Sequence, residues 1–232
     1  MQHSGPVQKK TENVPDIDKL LNNPKARLYI EAADRYLDCI GYTEHGLRHC
    51  GVVSKTAYRI LKKLGYPEKT AVLAAAAGFL HDIGNMLGRD MHHKMGALLS
   101  KEILEETGFE LRDIITIMTA VVIHEEIEGS IPDEVSASML IADKSDVHRS
   151  RVRNPSMVSQ DIHDRVNYAA TESDLSIDPP AKLITLSLVI DTRISQVIEY
   201  FEIFLSRMST CRQAARTLGA EFNLYINNTR MA

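Results

Sequence analysis

The 232-residue sequence has no tryptophan, three cysteines and no excess of positive charge. Cys39, Cys50 and Cys211 are widely spaced without a CxxC pair, which indicates idle thiols in a reducing compartment. The net charge of −4 gives no general attraction to nucleic acid, so an anion must bind to a local cluster. The first twenty residues lack the apolar core of a signal peptide, and no later run reaches membrane-spanning length. These absences predict a cytoplasmic protein that does not contact a membrane.

Motifs of several common enzyme classes are also missing. The sequence contains no GxSxG, no P-loop and no GxGxxG, and Cys50 has only His49 beside it. It therefore predicts no serine or cysteine nucleophile and no P-loop or Rossmann nucleotide site. The composition is that of an ordinary globular protein, with 44% apolar and 25% charged residues. This length suffices for the core of one domain, or of one domain with a modest appendage.

Apolar residues recur at helical spacing from Pro24 to about His148. Residues 68–82 are almost wholly apolar, so this segment should form a helix that is buried on most sides, with Gly84 as its C-terminal stop. Thr43 is a candidate cap for the helix before it. The pattern predicts helices over 25–39, from Thr43 to Leu64, and over 68–82, 93–107, 110–124 and 132–148.

The pattern changes after a basic, polar loop at 149–160. Val166, Tyr168 and Ala170 alternate with polar residues and predict a strand, 173–180 carries turn residues, and 182–191 is rich in β-formers. A helix at 193–218 and a strand at 222–226 follow. The predicted fold is mainly α, an all-helical bundle with a small C-terminal α+β subdomain of hairpin, helix and strand. The predicted divisions are a flexible tail (1–22), the helical domain (23–160) and the subdomain (161–232).

The chemistry-bearing residues lie in the helical region. His81 and Asp82 end the most apolar helix, where an ionised carboxylate is costly unless something compensates it. A divalent metal would do so, because carboxylate and imidazole are standard ligands. An isolated His-Asp pair is more typical of a solvated helix end. Here, however, each neighbouring helix carries a further His or Asp at an end or an apolar break, as a metal site inside a bundle requires: His45, His92, His93, His124 and Asp143.

Five ordered segments carry a family resemblance: HGLRHC (45–50), FLHDIGN (79–85), HHKMGALLSKEIL (92–104), IHEEIEGSIP (123–132) and LIADKSD (140–146). Over residues 43–148 the chain resembles the HD superfamily of metal-dependent phosphohydrolases. The resemblance implies an HD-type bundle and divalent metal ions, two in number, of a kind (Mn, Fe, Mg, Ni or Zn) that the motifs do not distinguish. It implies a first metal held by His45, His81, Asp82 and Asp143, and a second held by Asp82, His92 and His124.

Two ligand choices have alternatives. His49 lies one helical turn after His45 and could replace it, although Arg48, three places after His45, favours His45. His93 adjoins His92, and the four-residue spacing to Gly96 favours His92.

The chain also departs from the HD-GYP class. Ile123 replaces the leading His of the fourth motif, GSIP stands in place of GYP, and Asn85 replaces the usual Lys. A cyclic-di-GMP phosphodiesterase and a three-metal centre are therefore not predicted, and one metal remains an alternative to two.

Four cations follow Asp143 closely and could bind the phosphate of a substrate: Lys144, Arg149, Arg151 and Arg153. Guanidinium groups suit phosphate oxygens, and the i, i+2, i+4 spacing would place the arginines on one side of an extended loop. The alternative is a solvated basic loop. The cluster is too small for long nucleic acid, so the expected partner is a small phosphorylated substrate of nucleotide type.

The predicted reaction is hydrolysis of a phosphomonoester or phosphodiester by a metal-bound hydroxide, with Asp82 and Lys144 as catalytic residues. Glu125 and Asp146 are spare carboxylates that could support ligands or move a proton. One alternative is a ligand-sensing or scaffold HD protein with little turnover, since the hairpin leaves a strand edge for a partner or for a homodimer. Another is an HD-type di-iron oxygenase.

Overall fold

A computed structural model describes residues 13–125 and 130–231. Within these ranges the chain forms nine α-helices: α1 Ile17–Leu21, α2 Pro24–Cys39, α3 Leu47–Lys63, α4 Glu68–Leu80, α5 His92–Glu106, α6 Leu111–Ile123, α7 Glu134–Lys144, α8 Ile162–Ala169 and α9 Val197–Thr217. Four strands follow the helical body, namely β1 Ala170–Asp178, β2 Leu183–Ile190, β3 Glu221–Ile226 and β4 Thr229–Arg230. Short 3₁₀ turns occupy Ile83–Leu87, Arg149–Arg151 and Pro155–Met157. The mainly α fold with a small C-terminal α+β part is confirmed.

Local sequence signals explain where several helices begin. The side chain of Asn23 accepts a hydrogen bond from the Ala26 amide at the start of α2, and Asp133 caps α7 in the same way. Gln196 and Glu199 form a capping box on α9. The predicted cap at Thr43 is wrong, because α3 begins only after Gly46, which contributes no side chain to the cap.

Helix α4 is the centre of the helical body. Its residues from Ala71 to Leu80 are all buried, with α3, α6 and α7 packed around it. A Cβ at Gly78 would lie 3.0 Å from the Ser54 backbone nitrogen, so the small residue permits close contact with α3. The expectation that no run reaches membrane-spanning length is wrong, because among the described residues the segment Glu68–Leu87 is long and apolar enough to cross a membrane. In its most apolar window 83% is buried within the protein, so its apolar surface forms the core of the helical body.

The C-terminal sheet has the order β1-β2-β3-β4. Strands β1 and β2 pair antiparallel, α9 crosses from β2 to the parallel strand β3, and β4 closes the edge antiparallel to β3. The predicted first strand is wrong at Val166 and Tyr168, which lie in α8 because Asp161 caps a helix there. The predicted turn is also misplaced. Residues up to Asp178 extend β1, and the chain reverses after them.

One hydrophobic core joins the helical body to the C-terminal part. It runs from Leu20 in α1 to Ile226 in β3, and α9 packs directly on α7. Residues 17–21 form a helix instead of a flexible tail because Leu20 is fully buried, whereas the tail prediction for 1–12 falls outside the described residues. The division at residue 160 stays a prediction.

Candidate metal centre

The last turn of α4 places His81 and Asp82 side by side. Helix α4 ends at Leu80, His81 caps it, and Asp82 leads into the 3₁₀ turn that follows. Successive side chains diverge on a regular helix, but at this break both point to one place, with His81 Nε2 3.2 Å from Asp82 Oδ2. Both side chains are buried. The pair is therefore the centre of an enclosed polar cluster.

A first group of potential ligands consists of His49, His81 and Asp143. His49 Nε2 lies 3.3 Å from His81 Nε2 and 3.4 Å from Asp143 Oδ1, and His81 Nε2 lies 3.8 Å from the same oxygen. Three helices supply these residues, α3, the end of α4 and α7. Two imidazole nitrogens and a carboxylate oxygen at this separation could hold a divalent ion.

A second group consists of Asp82, His92 and His124. Asp82 Oδ1 lies 3.5 Å from His124 Nε2 and 3.8 Å from His92 Nε2, and the two imidazole nitrogens are 3.0 Å apart. His92 begins α5 and His124 caps the end of α6. All three side chains are buried.

Asp82 lies between the two groups. Its Oδ2 faces His81 and His49, at 3.2 and 3.9 Å, whereas its Oδ1 faces the second group. A carboxylate with one oxygen towards each group has the geometry of a bridging ligand.

The four histidines of the two groups share one orientation. In each, Nδ1 lies within hydrogen-bond distance of a fixed oxygen acceptor, and Nε2 faces the other ligands. The acceptors are Asp146 Oδ2 at 2.6 Å for His49, the Gly78 carbonyl at 2.9 Å for His81, the Arg89 carbonyl at 3.0 Å for His92 and the Val121 carbonyl at 2.6 Å for His124. Because these oxygens accept the Nδ1 proton, the Nε2 lone pairs are available to a metal.

The electrostatics of the cluster suit a cation. Burial raises the pKa values of Asp82 and Asp143, but the surrounding histidines, and Lys144 beside Asp143, outweigh it and hold both well below the usual range. Burial lowers the pKa of His81, yet the two carboxylates raise it to about 9. Burial and nearby His124 lower the pKa of His92 to about 4. Two ionised carboxylates in the cluster attract positive charge, and a divalent metal would take the place of the proton that the carboxylates hold on His81.

Comparison with known proteins agrees with this geometry. Residues 46–162, about half of the chain, match the HD-domain family. The chain belongs to the HD-domain family. HD domains bind divalent metals, and the family generally includes metal-dependent hydrolases. The chain is also 28% identical, over 159 residues, to the uncharacterized protein MJ1020 of Methanocaldococcus jannaschii. That match covers 60% of this chain and 61% of the length of the relative.

The structure brings His49 into the first group, whereas the motif spacing favoured His45. His45 precedes α3, its Nδ1 lies 2.6 Å from the Thr43 carbonyl, and it belongs to neither ligand group. His49 is fully buried on the face of α3 that also buries Val53 and Ala57. This i, i+4, i+8 pattern was visible in the sequence and is the signal that could have selected His49. In the second group, His92 stands where it was predicted, and buried His93 lies outside both groups.

Asn85 and Asp146 support the ligands of the HD domain. The Asn85 amide donates to Asp82 Oδ1 and to the Asp82 carbonyl, both at 3.0 Å, so it replaces the usual Lys with a residue that fixes the Asp82 carboxylate. Asp146 accepts from His49 and from both terminal nitrogens of Arg48, at 3.2 and 2.9 Å. Burial raises the pKa of Asp146, but His49, Arg151 and Arg48 lower it far more, so it stays ionised. Asp146 therefore positions His49.

Arg89, which belongs to none of the sequence motifs, contacts the second group. Its guanidinium donates to His92 Nε2 at 2.9 Å and to Glu125 at 2.7 Å, and it lies over the Tyr42 ring at 5.4 Å. Arg89 thus links His92 to Glu125 and Tyr42.

Gly84 and Gly96 let the HD motif approach α5. A Cβ on Gly84 would lie 1.9 Å from the His92 carbonyl oxygen and 2.5 Å from the Gly96 amide nitrogen. Gly84 is therefore required for close contact between the 3₁₀ turn and α5, and not as the helix stop that the sequence predicted. This contact sets the distance between Asp82 and His92.

Of the four predicted phosphate-binding residues, Lys144 lies at the centre, 2.8 Å from Asp143 Oδ2. The three arginines do not share one side of an extended loop, because the first and second are part of a 3₁₀ turn. Arg149 donates to the Tyr168 carbonyl and lies over its ring, and buried Arg151 donates to the carbonyls of Glu44 and Asp146. Arg153 pairs with Asp34. These arginines hold the loop against the helical body.

A cavity of about 470 Å³ adjoins the centre. Arg89 and Glu125 line it next to the second group, and residues of α8 and α9 form another wall. Further lining residues are Tyr42, His45, Arg151 and Arg207. Its volume falls in the usual range for small-molecule sites, about 300–1,000 Å³.

Proposed function

We propose that the protein is a metal-dependent phosphohydrolase that cleaves a phosphomonoester or phosphodiester of a small nucleotide-like substrate. The observation that carries this proposal is Asp82, whose two oxygens face two separate groups of buried ligands. His49, His81 and Asp143 would share a first ion with Asp82, and His92 and His124 a second. Divalent ions bound there would supply Lewis-acid polarisation of phosphoryl oxygens and a lowered pKa for water.

The residues around this centre have separate roles in the proposed reaction. Lys144 is held beside Asp143, where its ammonium would stabilise negative charge that develops on the phosphoryl group. Glu125 lines the cavity, 3.8 Å from His92 Nε2 and paired with Arg89. Burial raises the pKa of Glu125, but Arg89 and Lys144 bring it below its usual value, so the carboxylate is ionised and can accept a proton. Tyr42 and His45 would contact the remainder of the substrate.

The experiment is metal analysis of the purified protein together with a screen of phosphate esters, nucleotides and cyclic nucleotides. Asp82→Ala should lose bound metal and reduce hydrolysis by about three orders of magnitude or more, because both groups lose their shared carboxylate. Asp174→Ala, on the exposed side of β1, is the matched control and should keep both. Full activity in Asp82→Ala would refute the proposal. Iron with oxygen uptake and no phosphate release would instead support a di-iron oxygenase.

One contact favours a second candidate, a sensing or scaffold HD protein with little turnover. Arg89 donates to His92 Nε2, the atom that a second metal would need. If Arg89 keeps this position when ligand binds, only the first group can take up an ion. Nucleotide binding by calorimetry, with about one ion per chain and no product after long incubation, would support this candidate. An Arg89→Ala variant that gains a second ion would show that Arg89 restricts metal binding.

A further inference from the structure

The cavity beside the metal centre has a wall that belongs to the C-terminal part of the chain. Asn167 of α8 and Phe204 and Arg207 of α9 line it together with Arg89 and Glu125. Residues that contact the second group and residues of the C-terminal helices therefore line one cavity. A substrate that reaches the metal centre through this cavity must also meet α9.

Arg207 differs from the other two arginines in the cavity. Arg89 donates to Glu125, and Arg151 donates to the carbonyls of Asp146 and Glu44. The guanidinium of Arg207 lies over the Phe204 ring at 4.8 Å, and in the described part of the chain it makes no hydrogen bond or ion pair. The hydrogen-bond donors of Arg207 are thus available to a ligand.

A half-buried guanidinium without an anion is energetically costly. Burial lowers the pKa of Arg207, and the negative charge of Asp143 in the metal centre opposes this effect. A second polar group in the same wall also has an unmet hydrogen bond. Asn167 is 4% exposed, and its Oδ1 has no partner among the described residues. A cation and an acceptor in one wall suit a ligand with an anionic group and a hydroxyl or amino donor.

Phosphate esters have this chemistry. The planar guanidinium binds phosphate oxygens through parallel hydrogen bonds, and the Phe204 ring fixes its plane. The cavity is also lined by Arg89 and Glu125, which lie 2.9 and 3.8 Å from Nε2 of His92 in the second group.

We propose that Arg207 binds a phosphate oxygen of the substrate in this cavity, so that the C-terminal part completes the substrate site of the HD domain. The proposal rests on the function proposed above. It assigns phosphate binding to a residue of α9 and not to the loop arginines, Arg149 and Arg153, that already hold the loop in place.

The test compares Arg207→Gln with Arg216→Gln, a control at an exposed position near the end of the same helix. Each metal-loaded protein is titrated with inorganic phosphate by calorimetry, and kcat/KM is measured on the best ester of the screen. Arg207→Gln should keep the metal content of the wild type and lose about 10- to 100-fold in phosphate affinity and in kcat/KM, since charged hydrogen bonds are removed. The control should match the wild type.

Equal phosphate affinity in Arg207→Gln and the wild type, or no phosphate binding by the metal-loaded wild type, would overturn the proposal. Should Arg207→Gln fail to fold, Arg207→Met keeps the apolar stem against Phe204 and is judged by the same two measurements. Failure of the proposed function gives a different result, because the wild type would then release no product from any ester. The phosphate titration requires no turnover, so it would still compare the affinities of Arg207→Gln and Arg216→Gln.

Discussion

The metal centre and the α8–α9 wall of the adjoining cavity differ in how completely their polar groups are paired. In the centre, each of the four histidines has a fixed acceptor for Nδ1, and Asn85 donates a hydrogen bond to Asp82. In the wall, Arg207 has an aromatic ring beneath it, and Asn167 Oδ1 has no partner in the described part of the chain. Ligands of an ion must be oriented in advance, whereas groups that bind an organic substrate complete their hydrogen bonds on binding.

The largest expected effect is the difference between two variants, one in the metal centre at His49 and the other in the cavity at His45. His49→Ala should lose metal from the first group and reduce hydrolysis about 1,000-fold, because His49 is buried and aimed at Asp143 and His81. His45→Ala should keep the metal content, with a change in kcat/KM below about tenfold, since His45 lines the cavity only. Metal analysis and steady-state kinetics on both variants check this. Loss of metal in His45→Ala with retention in His49→Ala would reverse the assignment.

Gly84→Ala should weaken the second group by displacing the backbone of α5. The added Cβ would overlap the His92 carbonyl, so α5 must move away from the HD motif, at an expected cost of about 1–3 kcal/mol. Thermal unfolding should show a lower Tm, and metal analysis a weaker second ion. Gly51→Ala is the control, because a Cβ on this helical glycine meets no atom within 4 Å. A Gly84→Ala protein with the Tm and metal content of the wild type would show that the close contact is not required.

Asp146→Asn tests whether orientation of a ligand contributes to its affinity. The variant removes the ionised acceptor of the His49 Nδ1 proton while the ligands themselves remain. Metal affinity should fall about 10- to 100-fold, as is common when the partner of a ligating histidine is changed. A titration of metal-free protein measures it. An unchanged affinity would mean that the backbone alone orients His49.

The smallest expected effect is on stability at low pH and concerns the two helices of the α8–α9 wall. Glu199 on α9 accepts hydrogen bonds from Arg165 on α8 and from Ser195, and these contacts lower its pKa to about 2. Because the folded-state pKa lies below the unfolded value, this stabilisation is complete above about pH 4.5 and is lost as pH falls towards 2. Urea unfolding at several pH values should show a shallower acid dependence for Glu199→Gln than for the wild type. Identical pH profiles would show that the contacts of Glu199 do not contribute to the acid dependence of stability.

The order of the helices and the HD constellation could be predicted from the sequence, because helical periodicity and five ordered motifs are local signals. The choice between His45 and His49 needed the buried face of α3, which places His49 with Val53 and Ala57. Alternation of Val166, Tyr168 and Ala170 over five residues could not distinguish a strand from the short helix that Asp161 caps.

The contribution of Arg207 depends on tertiary structure alone. It lies 82 residues after Glu125 in sequence, although both line the same cavity, and no motif marks it. The loop arginines were the visible basic cluster, yet their side chains bind backbone carbonyls and Asp34.

Asp82 is proposed to bridge two metal positions. Anomalous diffraction from crystals of the wild-type protein loaded with manganese tests this proposal most directly. Two peaks are expected on either side of Asp82, one beside His49, His81 and Asp143 and the other beside His92 and His124. Ions that Asp82 does not contact, or a peak at His45 in place of His49, would contradict it.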